Sequence, residues 1–133
     1  MKIEGSCHCG QISFEAEVSP EDVRICHCCD CQVLSGSAYR VNVKAPAESF
    51  VLRSGTPKIY VKTAESGNKR AHGFCANCGT QIYSADQHQP RAYSIRVGTV
   101  KQRAALQPTR QIWFRSALPW VTDIRHVAQN ECQ

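Results

Sequence analysis

The sequence lacks any apolar segment long enough to cross a bilayer, and its first residues lack the apolar run of a signal peptide. It also lacks a basic run of about five to eight residues: its 16 lysines and arginines are scattered, and the formal charge is only +5. These absences exclude a membrane-spanning protein, favour a cytoplasmic one and argue against nucleic acid as the main partner. A modest positive charge does suit acidic small molecules.

Long helical periodicity, internal repeats and low-complexity segments are also missing. The dominant period is two: polar and apolar residues alternate over 11–18, 39–43 and 93–97, as in half-buried strands. Shorter apolar runs predict further strands at 50–52, 59–61, 82–83 and 112–114. A single helical turn is predicted at 30–34. The pattern therefore predicts a mainly β fold, and the length suits one domain spanning residues 1–133.

Cysteine, in contrast, is abundant. Eight of the nine cysteines form three clusters, which are Cys7-His8-Cys9, Cys26-His27-Cys28-Cys29-Asp30-Cys31 and Cys75-Ala76-Asn77-Cys78. Thiolates two or three residues apart on a tight turn converge on one ion, which is the local geometry of a tetrahedral zinc site. Disulfides do not suit a reducing cytoplasm, so the clusters favour metal. The ninth, Cys132, lies in a polar tail and is predicted to be inert.

The spacing predicts two zinc ions of different kinds. The outer clusters supply a complete set of four sulfurs, from Cys7, Cys9, Cys75 and Cys78, and a closed site of this kind is structural. The middle cluster supplies three evenly spaced thiolates, from Cys26, Cys28 and Cys31, and leaves a fourth position free for chemistry. Core packing alone would not require both a C-x-C and a C-x-x-C motif.

These motifs resemble those of the glutathione-dependent formaldehyde-activating enzymes and their centromere-protein-V-like relatives. The similar segments are Gly5-Ser6-Cys7-His8-Cys9-Gly10 with the strand after it, Cys26-His27-Cys28-Cys29-Asp30-Cys31 leading to Gly36, Phe74-Cys75-Ala76-Asn77-Cys78-Gly79-Thr80, and Ile112-Trp113-Phe114 to Pro119-Trp120. The resemblance implies an Mss4-like β-tent with a structural zinc on Cys7, Cys9, Cys75 and Cys78 and a catalytic zinc on Cys26, Cys28 and Cys31. It also implies carbon–sulfur lyase chemistry, in which glutathione and formaldehyde combine to S-(hydroxymethyl)glutathione or separate again.

A thiol that enters an open zinc position is deprotonated, so the implied metal would hold a reactive thiolate. The aldehyde oxygen then needs a proton donor, and the candidates are His27, His72, Tyr39 and Tyr83, each of which is more often a packed aromatic residue than a catalyst. Carboxylates of glutathione would need basic partners near the site. The candidates, which the sequence does not rank, are Arg40, Lys44, Lys69, Arg70 and Arg115.

Two residues depart from the pattern of the family. Cys29 stands where the family usually has another residue, and we expect it to be a bystander because a one-residue step from Cys28 aims its side chain elsewhere. Gln32 stands where many relatives carry a basic residue, which puts glutathione itself in question more than the class of reaction. Two other functions stay open: a zinc-stapled binding module without chemistry, and weak nucleic-acid binding, which the lack of a basic stripe disfavours.

Overall fold

The computed structural model describes residues 1–64 and 66–133. Within this part the chain forms ten strands, one α-helix and five short 3-10 helices. The strands are β1 Lys2–Ser6, β2 Ser13–Glu17, β3 Val23–Cys26, β4 Arg40–Pro46, β5 Val51–Ser54, β6 Lys58–Thr63, β7 Lys69–Phe74, β8 Gln81–Asp86, β9 Ala92–Arg96 and β10 Arg110–Ile112, and the helix α1 is Cys29–Ser35. The 3-10 helices are Pro20–Asp22, Ala47–Ser49, Val97–Thr99, Arg103–Ala105 and Phe114–Ser116. The predicted mainly β fold is confirmed.

The strands form two sheets. The small sheet has the order β1-β2-β5, and the large sheet has the order β10-β3-β4-β9-β8-β7-β6. All neighbouring strands are antiparallel except β10 and β3, which run parallel. No helix in the described part of the chain is long and apolar enough to cross a membrane.

The hydrophobic core joins the two sheets. Ile3 and Phe14 of the small sheet and Val43 and Ile95 of the large sheet are at most 1% exposed and belong to one cluster. Burying each of these side chains contributes about 1.5–3 kcal/mol. Because strand side chains alternate between faces, the large sheet turns one face to this core and its other face away from it.

Most of the strand predictions are confirmed, because the predicted segments overlap β2, β4, β5, β6, β8 and β9. The prediction of a strand at 112–114 is wrong beyond Ile112: Trp113 is left-handed with φ 56° and Phe114 begins a 3-10 helix. The helix is also longer than the predicted single turn. It starts where the Cys28 sulfur accepts from the backbone N–H of Cys31, and it ends at Gly36, whose φ of 62° favours glycine.

Candidate functional site

The outer cysteine clusters come together as one centre. The sulfurs of Cys7, Cys9, Cys75 and Cys78 all lie within 4.8 Å of one another. The Sγ atoms of Cys7 and Cys9 are 3.5 Å apart, and those of Cys9 and Cys75 are 3.7 Å apart. A tetrahedron with zinc–sulfur bonds of about 2.3 Å has sulfurs about 3.8 Å apart. The geometry therefore fits a four-sulfur zinc site, as the spacing predicted.

Two tight turns shape this four-cysteine centre, since Cys7 follows β1 and Cys75 follows β7. The backbone N–H of Ile12 donates to the Cys7 sulfur over 3.2 Å, and the Thr80 hydroxyl lies 3.2 Å from the Cys78 sulfur. The hydrogen bond from Thr80 lowers the pKa of the Cys78 thiol to about 5. Donors aimed at sulfur favour the thiolate form that a metal requires.

The middle cluster forms a second centre with three sulfurs. Cys26 ends β3, Cys28 caps α1 and Cys31 lies in the first turn of that helix. Their sulfurs also lie within 4.8 Å of one another, and no fourth ligand from the described residues joins this group. Cys29 is exposed and is not a member of it. This three-cysteine centre has the form of an open zinc site.

The thiols of the three-cysteine centre differ in their pKa values. A hydrogen bond from Cys31 lowers the pKa of the Cys26 thiol to about 6, with help from the charge of Arg40 and against the effect of burial. The same hydrogen bond raises the pKa of the Cys31 thiol, because Cys31 donates it to the Cys26 thiolate. A cluster that already stabilises one thiolate near neutral pH is a suitable donor set for zinc.

A packed aromatic and amide shell holds this centre in place. The ring of His27 is 1% exposed, and it packs against Tyr39 and Phe114 with ring centroids 5.6 Å and 5.4 Å apart. Its Nε2 atom lies 2.8 Å from the side-chain oxygen of Gln111. Gln32 donates to the carbonyls of His27 and Ser116 over 2.7 Å and 3.0 Å. Gln32 thus ties the helix to the 3-10 turn after β10.

The face of the large sheet that points away from the core is polar and buried near this centre. Arg40, His72, Ser84 and Arg96 are 4%, 7%, 8% and 6% exposed. These four residues lie on one face of the sheet, because residues that pair across neighbouring strands share a face, as do residues two apart on one strand. The pairs that connect them are Cys26 with Arg40, Asn42 with Arg96, Ser84 with Ser94 and Ser84 with His72. We call Arg40 and Arg96 the buried arginine pair.

This polar face is concave. Lys62 of β6 forms an ion pair with Asp30 of α1, although five strand spacings separate β6 from β3, after which α1 follows. Five spacings of a flat sheet measure about 24 Å. The sulfurs of Cys26 and Cys31 lie within 4.8 Å of each other and so hold the start of α1 close to β3, which leaves more of this distance than the two side chains can bridge. The large sheet therefore curls until its edge strand meets the helix that carries the cysteines. The polar face lies inside this curve.

Arg96 is held by neutral partners. Its Nη1 atom donates to the Asn42 side-chain oxygen over 2.5 Å, and its Nη2 atom lies 3.3 Å from Nδ1 of His72. Burial, together with the charge of Arg96, lowers the pKa of His72 to about 4. His72 is therefore neutral at pH 7, and its Nδ1 accepts the hydrogen bond from Arg96.

The structure separates the predicted candidates. Of the proton donors, His27 and Tyr39 lie beside the three-cysteine centre, whereas Tyr83 packs in the core against Phe50 and Tyr93. Of the basic residues, Arg40 lies directly across the sheet from Cys26. The others are placed differently: Lys44, Lys69 and Arg115 are exposed, and Arg70 pairs with Asp86. Arg96 was not predicted, because an arginine that alternates with apolar strand residues is typical of a solvated face.

Comparison with known proteins agrees with this arrangement. A family model described as glutathione-dependent formaldehyde-activating enzyme matches residues 2–116. A Halomonas elongata protein with that provisional name is 26% identical over 139 residues, which cover 99% of this chain and 87% of that protein. A Schizosaccharomyces pombe protein named as an uncharacterized lyase is 29% identical over 104 residues, covering 74% and 68% of the two chains.

The fold also has a counterpart of known structure. A Rhodobacter sphaeroides protein of known crystal structure superposes with a TM-score of 0.63 and 20% identity, over 81% of this chain and 98% of that chain. At this identity the likeness concerns the fold. The resemblance seen in the sequence motifs is confirmed by the family match, and the chain belongs to the family of glutathione-dependent formaldehyde-activating enzymes.

Proposed function

We propose that this protein is a zinc-dependent carbon–sulfur lyase that forms and cleaves S-(hydroxymethyl)glutathione, or the adduct of a related small thiol, from the thiol and formaldehyde. The observation that carries the proposal is the convergence of three thiols, from Cys26, Cys28 and Cys31, without a fourth ligand from the described residues. Membership of the family and the names of the Halomonas and Schizosaccharomyces relatives support the same class of reaction.

The proposal gives each cysteine centre its own task. The four-cysteine centre, Cys7, Cys9, Cys75 and Cys78, would hold a structural zinc that joins the end of β1 to the end of β7. The three-cysteine centre would hold a catalytic zinc, and this ion would supply an open position at which the substrate sulfur binds as a thiolate. Residues 1–133 would then act as one catalytic unit.

The remaining chemistry concerns one bond and one proton. In the forward direction an electron pair of the substrate sulfur forms the carbon–sulfur bond to formaldehyde, while the carbonyl oxygen takes up a proton. In the reverse direction the hydroxyl gives up its proton, the carbon–sulfur bond breaks and its electron pair returns to sulfur. Of the predicted donors, position supports His27 and Tyr39, because both lie beside the cysteines. His27 contacts Gln111 through Nε2, but its Nδ1 has no partner among the described residues. His72 lies away from these residues, on the polar face, where its Nδ1 accepts from Arg96.

Exchange at equilibrium tests the reaction, since thiols and formaldehyde also combine without a catalyst. The zinc-loaded protein should raise the exchange rate between glutathione and its hydroxymethyl adduct above background, and Cys28→Ser should abolish this increase. Cys29→Ser is the matched control, because this neighbouring thiol is exposed and outside the centre. The protein should also bind glutathione far more tightly than S-methylglutathione, whose sulfur cannot become a thiolate. A fully loaded protein without exchange above background or thiol binding would instead be a zinc-stapled binding module.

A further inference from the structure

Arg40 is an unusual residue for a β-sheet interior. It is 4% exposed, and its Nη2 atom has no hydrogen-bond partner among residues 1–64 and 66–133. A buried donor without an acceptor costs about 1–3 kcal/mol, and more when it is charged. Burial accordingly lowers the pKa of Arg40. Such a group requires an explanation, and a ligand that binds beside it is one.

Among the described residues, the surroundings of Arg40 supply the thiols of the three-cysteine centre and a second cation, but no unpaired carboxylate. Arg96, the second member of the buried arginine pair, also has an unpartnered atom, its Nε, within the described chain. The acidic residues that belong to neighbouring elements are used elsewhere. Asp22 pairs with Arg24, Asp30 with Lys62 and Asp86 with Arg70. This end of the concave face is therefore built to receive an anion.

The position of Arg40 relative to Cys26 sets the distance from the reacting sulfur. The two residues are directly opposite across the antiparallel pair β3–β4. Side chains at such positions share a face and have Cβ atoms about 4.5–5.5 Å apart. The guanidinium of Arg40 is therefore within reach of an anionic group on a ligand bound at the three-cysteine centre, and the long arginine side chain can meet a carboxylate close to the sulfur, as in 3-mercaptopropionate, or one farther along the molecule, as in glutathione.

We propose that Arg40, supported by Arg96, is the subsite that binds a carboxylate of the thiol substrate, so that the three-cysteine centre selects thiols that bear a carboxylate over neutral or cationic thiols. The guanidinium suits this group because its planar N–H groups can bind both oxygens of a carboxylate. This inference rests on the proposed function, because it requires that the substrate sulfur binds at the three-cysteine centre. The sequence left five basic residues unranked as partners of a substrate carboxylate, and this inference selects Arg40 among them.

Calorimetric titration of the zinc-loaded protein with small thiols tests the proposal. The probes are 3-mercaptopropionate, its methyl ester, 2-mercaptoethanol and cysteamine. We expect 3-mercaptopropionate to bind about ten- to hundredfold more tightly than its methyl ester, the range for a charge-assisted hydrogen bond. Arg40→Met should remove this preference. It should weaken the binding of 2-mercaptoethanol far less, because the charge of Arg40 acts on the cysteines only at a distance. Arg40→Lys, which keeps the charge without the fork, should retain part of it.

Lys44→Met is the matched control, since Lys44 lies on the same face of β4 but is exposed, and this variant should keep the full preference. Zinc content and thermal melts of each variant provide a second measurement, and Arg40→Met should retain zinc and melt within a few degrees of the wild type. If Arg40→Met lost its zinc, the arginine would serve as a countercharge for the cysteines, and the proposal would be wrong. Equal affinity of the wild type for the acid and its ester would also overturn it. Failure of every thiol, 2-mercaptoethanol included, to bind loaded protein would refute the proposed function itself.

Discussion

The two cysteine centres should differ sharply in what they contribute to stability. We consider a pair of double variants, Cys75→Ser/Cys78→Ser in the four-cysteine centre and Cys28→Ser/Cys31→Ser in the three-cysteine centre. Each removes two sulfurs. The first pair of sulfurs closes a long loop, because Cys9 and Cys75 are 66 residues apart, whereas the second closes a loop within β3 and α1.

The magnitude follows from the entropy of loop closure. A cross-link over about 66 residues removes about 4 kcal/mol of conformational freedom from the unfolded chain, whereas one over about five residues removes about 2 kcal/mol. The total stability of a domain is about 5–15 kcal/mol, so loss of the long link takes a large share of it. We expect Cys75→Ser/Cys78→Ser to lower Tm by about 15 °C or to prevent folding.

The other double variant should stay folded. Ser is a good helix N-cap, so Cys28→Ser preserves the start of α1. The expected loss of Tm is about 8 °C, half that of the first variant. Thermal melts followed by circular dichroism, with zinc measured on the same samples, should show one zinc fewer in each variant. An equal loss of Tm in both variants would refute the assignment of one centre as structural and the other as open. A four-cysteine variant that melts like the wild type would refute the loop argument.

Three further predictions concern packing, redox chemistry and pH. Gly5→Ala should destabilise the fold by about 1–3 kcal/mol, because its Cβ would clash with Cζ of Phe14 and lie 2.7 Å from the Thr99 carbonyl oxygen. Gly98→Ala is the control for urea unfolding, because no atom of the described residues lies within 4 Å of a Cβ placed there. Air-exposed protein should form disulfides among Cys26, Cys28, Cys29 and Cys31 rather than in the four-cysteine centre, because an open site protects its thiols less. Mass spectrometry under non-reducing conditions measures this, and disulfides found only in the four-cysteine centre would contradict it. The pKa of His72 is lowered to about 4 in the folded state, so the unfolded state binds more protons and stability should fall by at most about 3 kcal/mol as pH drops from about 6.5 to 4. His72→Gln should flatten this slope relative to the wild type in urea unfolding at matched pH values, and an unchanged slope would show that His72 does not titrate in this range.

The sequence revealed the strands that have one apolar and one solvated face. The alternation over 11–18 is an example: Phe14 and Ala16 are buried, and Glu15 and Glu17 are not. It did not reveal β3 or β7, because these strands carry polar residues that the fold buries. His72, which is 7% exposed, illustrates this in β7, and in β3 the half-buried Arg24 lies between Val23 and Ile25 in a segment of only four residues. Alternation marks a strand only when solvent lies on its other face.

The grouping of the cysteines into two sets could be predicted for a different reason. Metal spacing is a local property of turns, so Cys26, Cys28 and Cys31 could be identified without any knowledge of the sheet. The pairing of Cys7 and Cys9 with Cys75 and Cys78 followed from completing a four-sulfur set. The buried arginine pair depends instead on strand register and on the curl of the large sheet, and neither is encoded in a short stretch of sequence.

Under the proposed function, one kind of ligand would serve opposite purposes at the two centres. At the four-cysteine centre the protein supplies all four sulfurs and links two sheets, so a zinc ion there would have no position open to a substrate. At the three-cysteine centre the ligands come from a short segment, and loss of any one ligand leaves the sheets connected. The concave face beside it buries Arg40 and Arg96 at a cost to stability that the rest of the fold must offset. Such a cost is explained if the substrate, and not the folded chain alone, completes the environment of these two cations.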